Sequence, residues 1–368
     1  MAKTKMATKK VFKDELNNPR QKKVWVNSGS VMLNLMLSGK IDKGYVRGRF
    51  VNVVGDNSTG KTLLAEELVN VAWYWTHKKL DKKVIIFYDE PEAAFDMEWA
   101  IKLGVPVDDI IWINSKTVDQ FHANLWKSIR DNPDAYLIIY ILDSLDALSD
   151  EAEKVKLNKK LNATIKKMEK DDDDNSEDEK IKGTMGAGKA KGMSEFFRNM
   201  AQEMNHTNCI LFIISQTRDN IGVMFGAKQK RSGGKALDFY ASQVFWLHEA
   251  EKYKTDKSKI VKGIRIVSVC KKNKVASPYR TVSFDILFAY GVDNYGSCID
   301  FLKDHDMLEG KNKIWWKDKK YTRDEFRQFL DKHPNDWEEI LELVQETWNE
   351  LEKEAEVDLR PKYSNGED

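Results

Sequence analysis

Eight consecutive residues, Gly55, Asp56, Asn57, Ser58, Thr59, Gly60, Lys61 and Thr62, fit the pattern G-x-x-x-x-G-K-[ST]. Glycines in such a loop let backbone N–H groups close around phosphate oxygens, aided by the positive end of the following helix. The lysine reaches the β and γ phosphates, and the hydroxyl of Thr62 ligates Mg²⁺. The segment predicts a nucleoside triphosphate site. Asp143, which ends a later apolar run, stands where such an enzyme holds Mg²⁺ through water, although a strand-terminal aspartate also serves to cap a helix. Glu92, in Asp89-Glu90-Pro91-Glu92, is the candidate for orienting the attacking water, with Glu90 as its rival.

These residues need a scaffold that brings distant turns together. Residues 49–54 read as a short apolar strand and residues 63–75 as a helix, which sets the glycine-containing loop on the turn between them. Further apolar runs at 84–88, 136–142 and 209–214 each end in polar residues and are separated by helical stretches. That alternation predicts an α/β fold with a mainly parallel sheet, whose ligands sit at the carboxyl ends of the strands. Residues 151–192 loosen into lysines, an acidic run at 171–179 and several glycines, and residues 222–234 form a second glycine-containing basic stretch. Past residue 291, Trp337, Ile340, Val344, Trp348 and Leu351 recur at helical spacing among Glu338, Glu339, Glu342, Glu346 and Glu350, predicting a small C-terminal domain with an acidic face.

Composition narrows the class. The chain has 368 residues, 41% hydrophobic and 32% charged, a globular balance, and its longest apolar run is too short to cross a bilayer. The basic N-terminal arm, residues 1–27, lacks the apolar stretch of a secretory signal, so a cytoplasmic protein without a membrane partner is expected. The three cysteines and six histidines are scattered and show no metal-ligand spacing. A net charge of +1 hides blocks of opposite sign: the basic arm, the acidic run at 171–179 and the glutamate-rich C-terminal stretch.

Several motifs, in order, resemble the bacterial-type RecA family of recombination ATPases. They are Ser28-Gly-Ser30, the GDNSTGKT loop, residues 87–105 (FYDEPEAAFDMEWAIKLGV), Asp143-Ser144, Ser215-Gln-Thr-Arg218, residues 221–226 (IGVMFG), residues 233–242 (GGKALDFYAS) and Lys272-Asn-Lys274. The resemblance implies an ATP-dependent recombinase that forms a helical homo-oligomeric filament on single-stranded DNA, pairs it with homologous double-stranded DNA and exchanges strands while hydrolysing ATP with Mg²⁺. The similarity implies a P-loop core at residues 28–290 and a small α/β C-terminal domain at 291–368. Single-strand-binding or mediator proteins are further partners of the kind this family uses.

Carried over position by position, the resemblance assigns Asp96 and Trp99 to the adenine ring, Trp99 standing where tyrosine is usual and keeping a stacking face. It adds Ser144 to the nucleotide site and favours Glu92 over Glu90. It makes Gln216 the switch between nucleotide and DNA, and sends Lys272 and Lys274 across a subunit boundary to the neighbour's γ-phosphate. Two DNA-binding loops, at about 151–192 and 218–234, are implied. Met185, Gly186, Lys189, Lys191 and Arg198 serve the first, and Arg218, Met224, Phe225, Arg231, Gly233 and Gly234 the second, as cations for phosphates and apolar wedges between bases. The chain departs from the family in its short N-terminal arm, in a longer segment between Asp143 and Met185, and in Asp238, where lysine is usual. A RecA-fold hexameric helicase and a non-catalytic DNA-coating scaffold are the competing expectations.

Overall fold

The computed structural model describes residues 23–149, 155, 159, 161–162, 187–219, 229–231, 234–255, 257–310 and 313–356. Strands β1 (Trp25–Val26) and β2 (Tyr45–Val46) pair antiparallel around helix α1 (Val31–Ser38). Ser30 starts that helix by accepting from Leu33 N, and Gly39 ends it in the left-handed conformation. Next come β3 (Arg49–Gly55), α2 (Lys61–Val71), which continues as a π-helical segment Ala72–Lys79, β4 (Val84–Asp89), α3 (Met97–Lys102) and β5 (Ile110–Ile113). They are followed by α4 (Val118–Arg130), β6 (Leu137–Leu142), α5 (Ala187–Met204), β7 (Cys209–Asp219), β8 (Gln229–Arg231), α6 (Gly234–Tyr240), β9 (Gln243–Lys254), β10 (Val261–Asn273) and β11 (Thr281–Leu287). The chain continues through β12 (Gly291–Asp293), α7 (Asn294–Asp304), β13 (Ile314–Trp316), β14 (Lys319–Tyr321), α8 (Arg323–Lys332) and α9 (Pro334–Glu354).

One large sheet has the order β12-β11-β10-β9-β3-β7-β6-β4-β5, with β8 on β7. From β9 to β5 neighbouring strands are parallel, and β9 to β12 are antiparallel. The fold is therefore α/β with a mainly parallel central sheet. The runs read as apolar in sequence feed both of its faces. Val51, Val53, Ile139, Ile141, Ile210 and Phe212 belong to one buried cluster, while Phe50, Val54, Ile138, Tyr140, Leu211 and Ile213 belong to the other. A strand covered on both sides shows little alternation, which is why these segments read as continuous runs.

The C-terminal region meets the core along the sheet and through a shared apolar cluster. Its first strand, β12, extends the central sheet, and Leu302, Phe326, Leu330, Ile340, Val344 and Trp348 share one apolar cluster with α1 and α2. In α9 the stripe lies as expected, with Ile340, Val344 and Trp348 buried and the five glutamates exposed. Charged groups fasten the junction: Arg323 donates to Asp285 at 2.5 Å and to both oxygens of Asp300 at 2.8 Å, and Arg265 donates to Asp285 at 2.8 Å. Asp285 is only 1% exposed, so these cations neutralise a carboxylate that has left water. Among the described residues no helix is long and apolar enough to cross a membrane.

Candidate functional site

Because β3, β7, β6 and β4 are parallel neighbours, their carboxyl ends open onto one edge. The loop from Gly55 to Thr62 connects β3 to α2 there. Its shape requires its glycines. Gly60 has φ +82°, a left-handed backbone, and a Cβ on Gly55 would come within 2.5 Å of Thr59 Oγ1. Thr59 Oγ1 and Lys61 Nζ both donate to the Asp56 carbonyl, at 2.9 and 2.6 Å, closing the loop on itself. Lys61 is buried, and desolvation lowers its pKa against the opposing pull of Asp143, Asp56, Asp146 and Glu92.

Thr62, in the first turn of α2, donates to Asp143 Oδ2 at 2.8 Å, and Tyr88 from β4 donates to the same oxygen at 2.9 Å. Burial raises the Asp143 pKa, and the two hydroxyl donors work against that rise. A hydroxyl beside a desolvated carboxylate is a set of hard oxygen donors, which suits Mg²⁺. Among the described residues there is no group of three or more His, Cys, Asp or Glu that could hold a metal ion by themselves.

The segment after β4 separates the two glutamates. Ala93 takes a positive φ of 53°, and Glu90 Oε1 turns back to accept from Ala94 N at 2.7 Å. Glu92 instead accepts from Ser144 Oγ and, at 3.5 Å, from Gln216 Nε2. Gln216 is anchored by its own N–H, which donates to Asp146 Oδ2 at 2.8 Å. Glu92, Ser144, Gln216, Lys61, Thr62 and Asp143 thus lie along one edge, with Glu92, itself exposed, bonded to Ser144 and Gln216, and half-buried Glu90 bonded within its own turn. Asp96 caps α3 by accepting from Trp99 N at 3.0 Å, and the Trp99 ring is 37% exposed.

Lys272 and Lys274 lie away from this cluster within the protomer. Lys272 Nζ donates to the carbonyls of Asp238 and Phe239, and Lys274 Nζ to that of Phe239 at 3.0 Å. Both cations therefore sit at the negative C-terminal end of α6. Of the residues expected at DNA, Lys189, Lys191 and Arg198 lie in α5, which begins at Ala187, inside the stretch expected to be loop. Arg218 and Arg231 lie on the hairpin of β7 and β8, in the register Thr217 with Arg231 and Arg218 with Lys230. Gly234 opens α6. Met185, Gly186, Met224, Phe225 and Gly233 lie outside the described residues, as do residues 171–179.

Sequence reasoning passed over four contributors: Tyr88, Asp146, Thr217 and Glu66. Thr217 Oγ1 donates to Asp56 Oδ1, and Glu66, one helical turn beyond Thr62, is a buried carboxyl beside Asp143. Only the i, i+4 spacing of Thr62 and Glu66 gave any signal, since it sets both on one face of α2.

Residues 6–168 and 174–293 match the family described as the RecA N-terminal domain. The chain is 31% identical to Protein RecA of Rickettsia africae over 329 residues, covering 87% of this chain and 83% of that protein. It is 30% identical to Protein RecA of Rickettsia bellii over 345 residues (90% and 88%), and 29% identical to that of Gloeobacter violaceus over 355 residues (95% and 81%). A family match across most of the chain, together with relatives about 30% identical over most of their own length, leaves one assignment: the chain belongs to the RecA family.

Proposed function

We propose that this protein is an ATP-dependent DNA strand-exchange ATPase that assembles as a helical filament on single-stranded DNA and pairs it with homologous duplex. The observation that carries the proposal is the meeting of Glu92 with Gln216, because it joins a carboxylate at the phosphate loop to the strand that leads into the β7–β8 hairpin. In this reading the loop 55–62 cradles the phosphates, and Lys61 neutralises charge on the β and γ groups. Thr62 and Asp143 would hold Mg²⁺, which supplies electrostatic stabilisation of the transferring phosphoryl group. Glu92 orients the attacking water, and Ser144 keeps that carboxylate in place. Asp96 and Trp99 receive the adenine.

Gln216 senses the γ-phosphate and passes its state to the basic hairpin, whose cations bind the DNA backbone without reading sequence. Lys272 and Lys274 act on the ATP of the adjoining protomer, so turnover requires a filament. Sequence recognition then falls to base pairing between strands. The test is a joint-molecule assay with ATP, comparing homologous with heterologous duplex, in the wild type and in Lys61→Ala. Homology-dependent product that vanishes with Lys61→Ala is expected. Directional unwinding of a forked duplex without homology would replace the proposal with a motor, and the absence of DNA-stimulated turnover would replace it with a passive coat.

A further inference from the structure

Asp56 faces two ways. Its backbone carbonyl holds Lys61 Nζ at 2.6 Å and Thr59 Oγ1 at 2.9 Å, while its carboxylate accepts from Thr217 Oγ1. Thr217 follows Gln216 on β7 and stands opposite Arg231 on β8, at the base of the hairpin. Two adjacent residues of one strand therefore contact different parts of the nucleotide site: Gln216 meets Glu92, and Thr217 meets the phosphate loop itself.

We propose that the Asp56–Thr217 hydrogen bond is a second, separate coupling between the phosphate loop and the β7–β8 hairpin, with Thr217 as a positioning residue for DNA affinity. The proposal rests on the reading of the chain as an ATP-dependent DNA-binding protein and deepens it. A triphosphate on the loop and the Asp56 carbonyl both draw on the ammonium of Lys61, so occupancy of the loop is felt at the Asp56 peptide. The Asp56 carboxylate is fixed to that peptide by a single rotatable bond beyond Cα–Cβ, and its tie to Thr217 carries the change to the hairpin. Hydrogen bonds to a carboxylate are stronger than neutral ones, and Asp56 and Thr217 follow directly on the paired residues Gly55 and Gln216 of neighbouring strands, so the bond continues the contact of β3 with β7 past the end of the ladder. The bond links residues 161 positions apart.

The experiment measures single-strand affinity of the full chain by fluorescence anisotropy, once with a non-hydrolysable ATP analogue and once without nucleotide, and takes the ratio. Thr217→Val keeps the branched shape and removes the donor. It should cut the ratio by about tenfold, the value of one charge-assisted hydrogen bond. Thr217→Ser, which restores a hydroxyl, should restore the ratio, and adding Asp56→Ala to Thr217→Val should lower it no further. A Thr217→Val ratio equal to that of wild type overturns the coupling, as does a loss that serine fails to rescue. A wild-type protein whose DNA affinity ignores nucleotide overturns instead the functional reading beneath it.

Discussion

Replacing Glu66 by glutamine should stabilise the protein, by an amount that grows with pH. Glu66 is 5% exposed, and burial, then the nearby Asp143, Glu67 and Asp96 carboxylates, push its pKa from 4.5 up to about 8. Between those values the folded chain holds a proton that the unfolded chain has released. Stability contributed by this group therefore falls as pH rises from about 4.5 towards 8. Each pH unit in that interval costs about 1.4 kcal/mol, so at pH 7 the carboxyl burdens the fold by about 3 kcal/mol. Glutamine has the same shape and no proton to lose. Urea unfolding of wild type and Glu66→Gln in EDTA, without nucleotide, should show a difference below about 1 kcal/mol at pH 5 and of about 2–3 kcal/mol at pH 7. Parallel stability curves for the two proteins across that range would refute the argument, because a carboxyl that ionises normally on this helix face has no pH-dependent cost. Glu67, raised by burial to about 6 against the hydrogen bond from Val292 N, adds a smaller fall between pH 4.5 and 6 to both proteins.

Glu92→Gln should leave ATP binding intact and slow hydrolysis by roughly two to four orders of magnitude, with the protein persisting on DNA; the same phenotype in Glu90→Gln, and not in Glu92→Gln, would reverse their roles. Lys272→Met should abolish DNA-stimulated turnover while nucleotide affinity per protomer stays near wild type, as read by equilibrium binding of a fluorescent ATP analogue. Arg323→Met leaves Asp285 with Arg265 as its remaining strong partner and should cost about 2–3 kcal/mol in urea unfolding, below the full penalty for an unpaired buried charge. Gly60→Ala forces an alanine to φ +82° with its Cβ 2.3 Å from Ile286 Cδ1. It should lose about 1–2 kcal/mol of stability and weaken ATP analogue binding in the same assay.

The four parallel strands at the site were readable because each is an apolar run closed by polar residues, and the phosphate loop because its chemistry dictates its residue types. The rest of the sheet was hidden by its surroundings. β5 has only four residues at the edge, and Ile111 and Trp112 are not buried on either face in the way a central strand is. The outer half of β9, His248 to Lys254, is exposed and charged, so it lacks the apolar signature even though it pairs along its length with β10. At the site, the residues alone made Glu92 the candidate but kept Glu90 as a rival, because both follow the same strand. Their different partners, Ser144 for Glu92 and Ala94 N for Glu90, are a matter of backbone geometry around Ala93 that composition does not carry. The pairing of Asp56 with Thr217 had no local trace, since nothing near either residue specifies a partner so distant in the chain.

The position of β3 governs the order in which this molecule can be completed. The strand that carries the phosphate loop leaves the ribosome before every other strand of the large sheet, yet it lies between β7 and β9 and has no earlier strand beside it. Asn52, at its centre, finds its hydrogen-bond acceptor on β7 161 residues later. Strands β4, β5 and β6 pair among themselves and form a unit with mostly nearer contacts, while β3 waits with both edges open. Such long-range closure is slow and exposes unpaired edges to other chains during synthesis. The nucleotide edge therefore comes into being only when the last parallel strands are laid down, and a nascent chain truncated before β7 carries the whole GDNSTGKT loop without the neighbours that give it a shape.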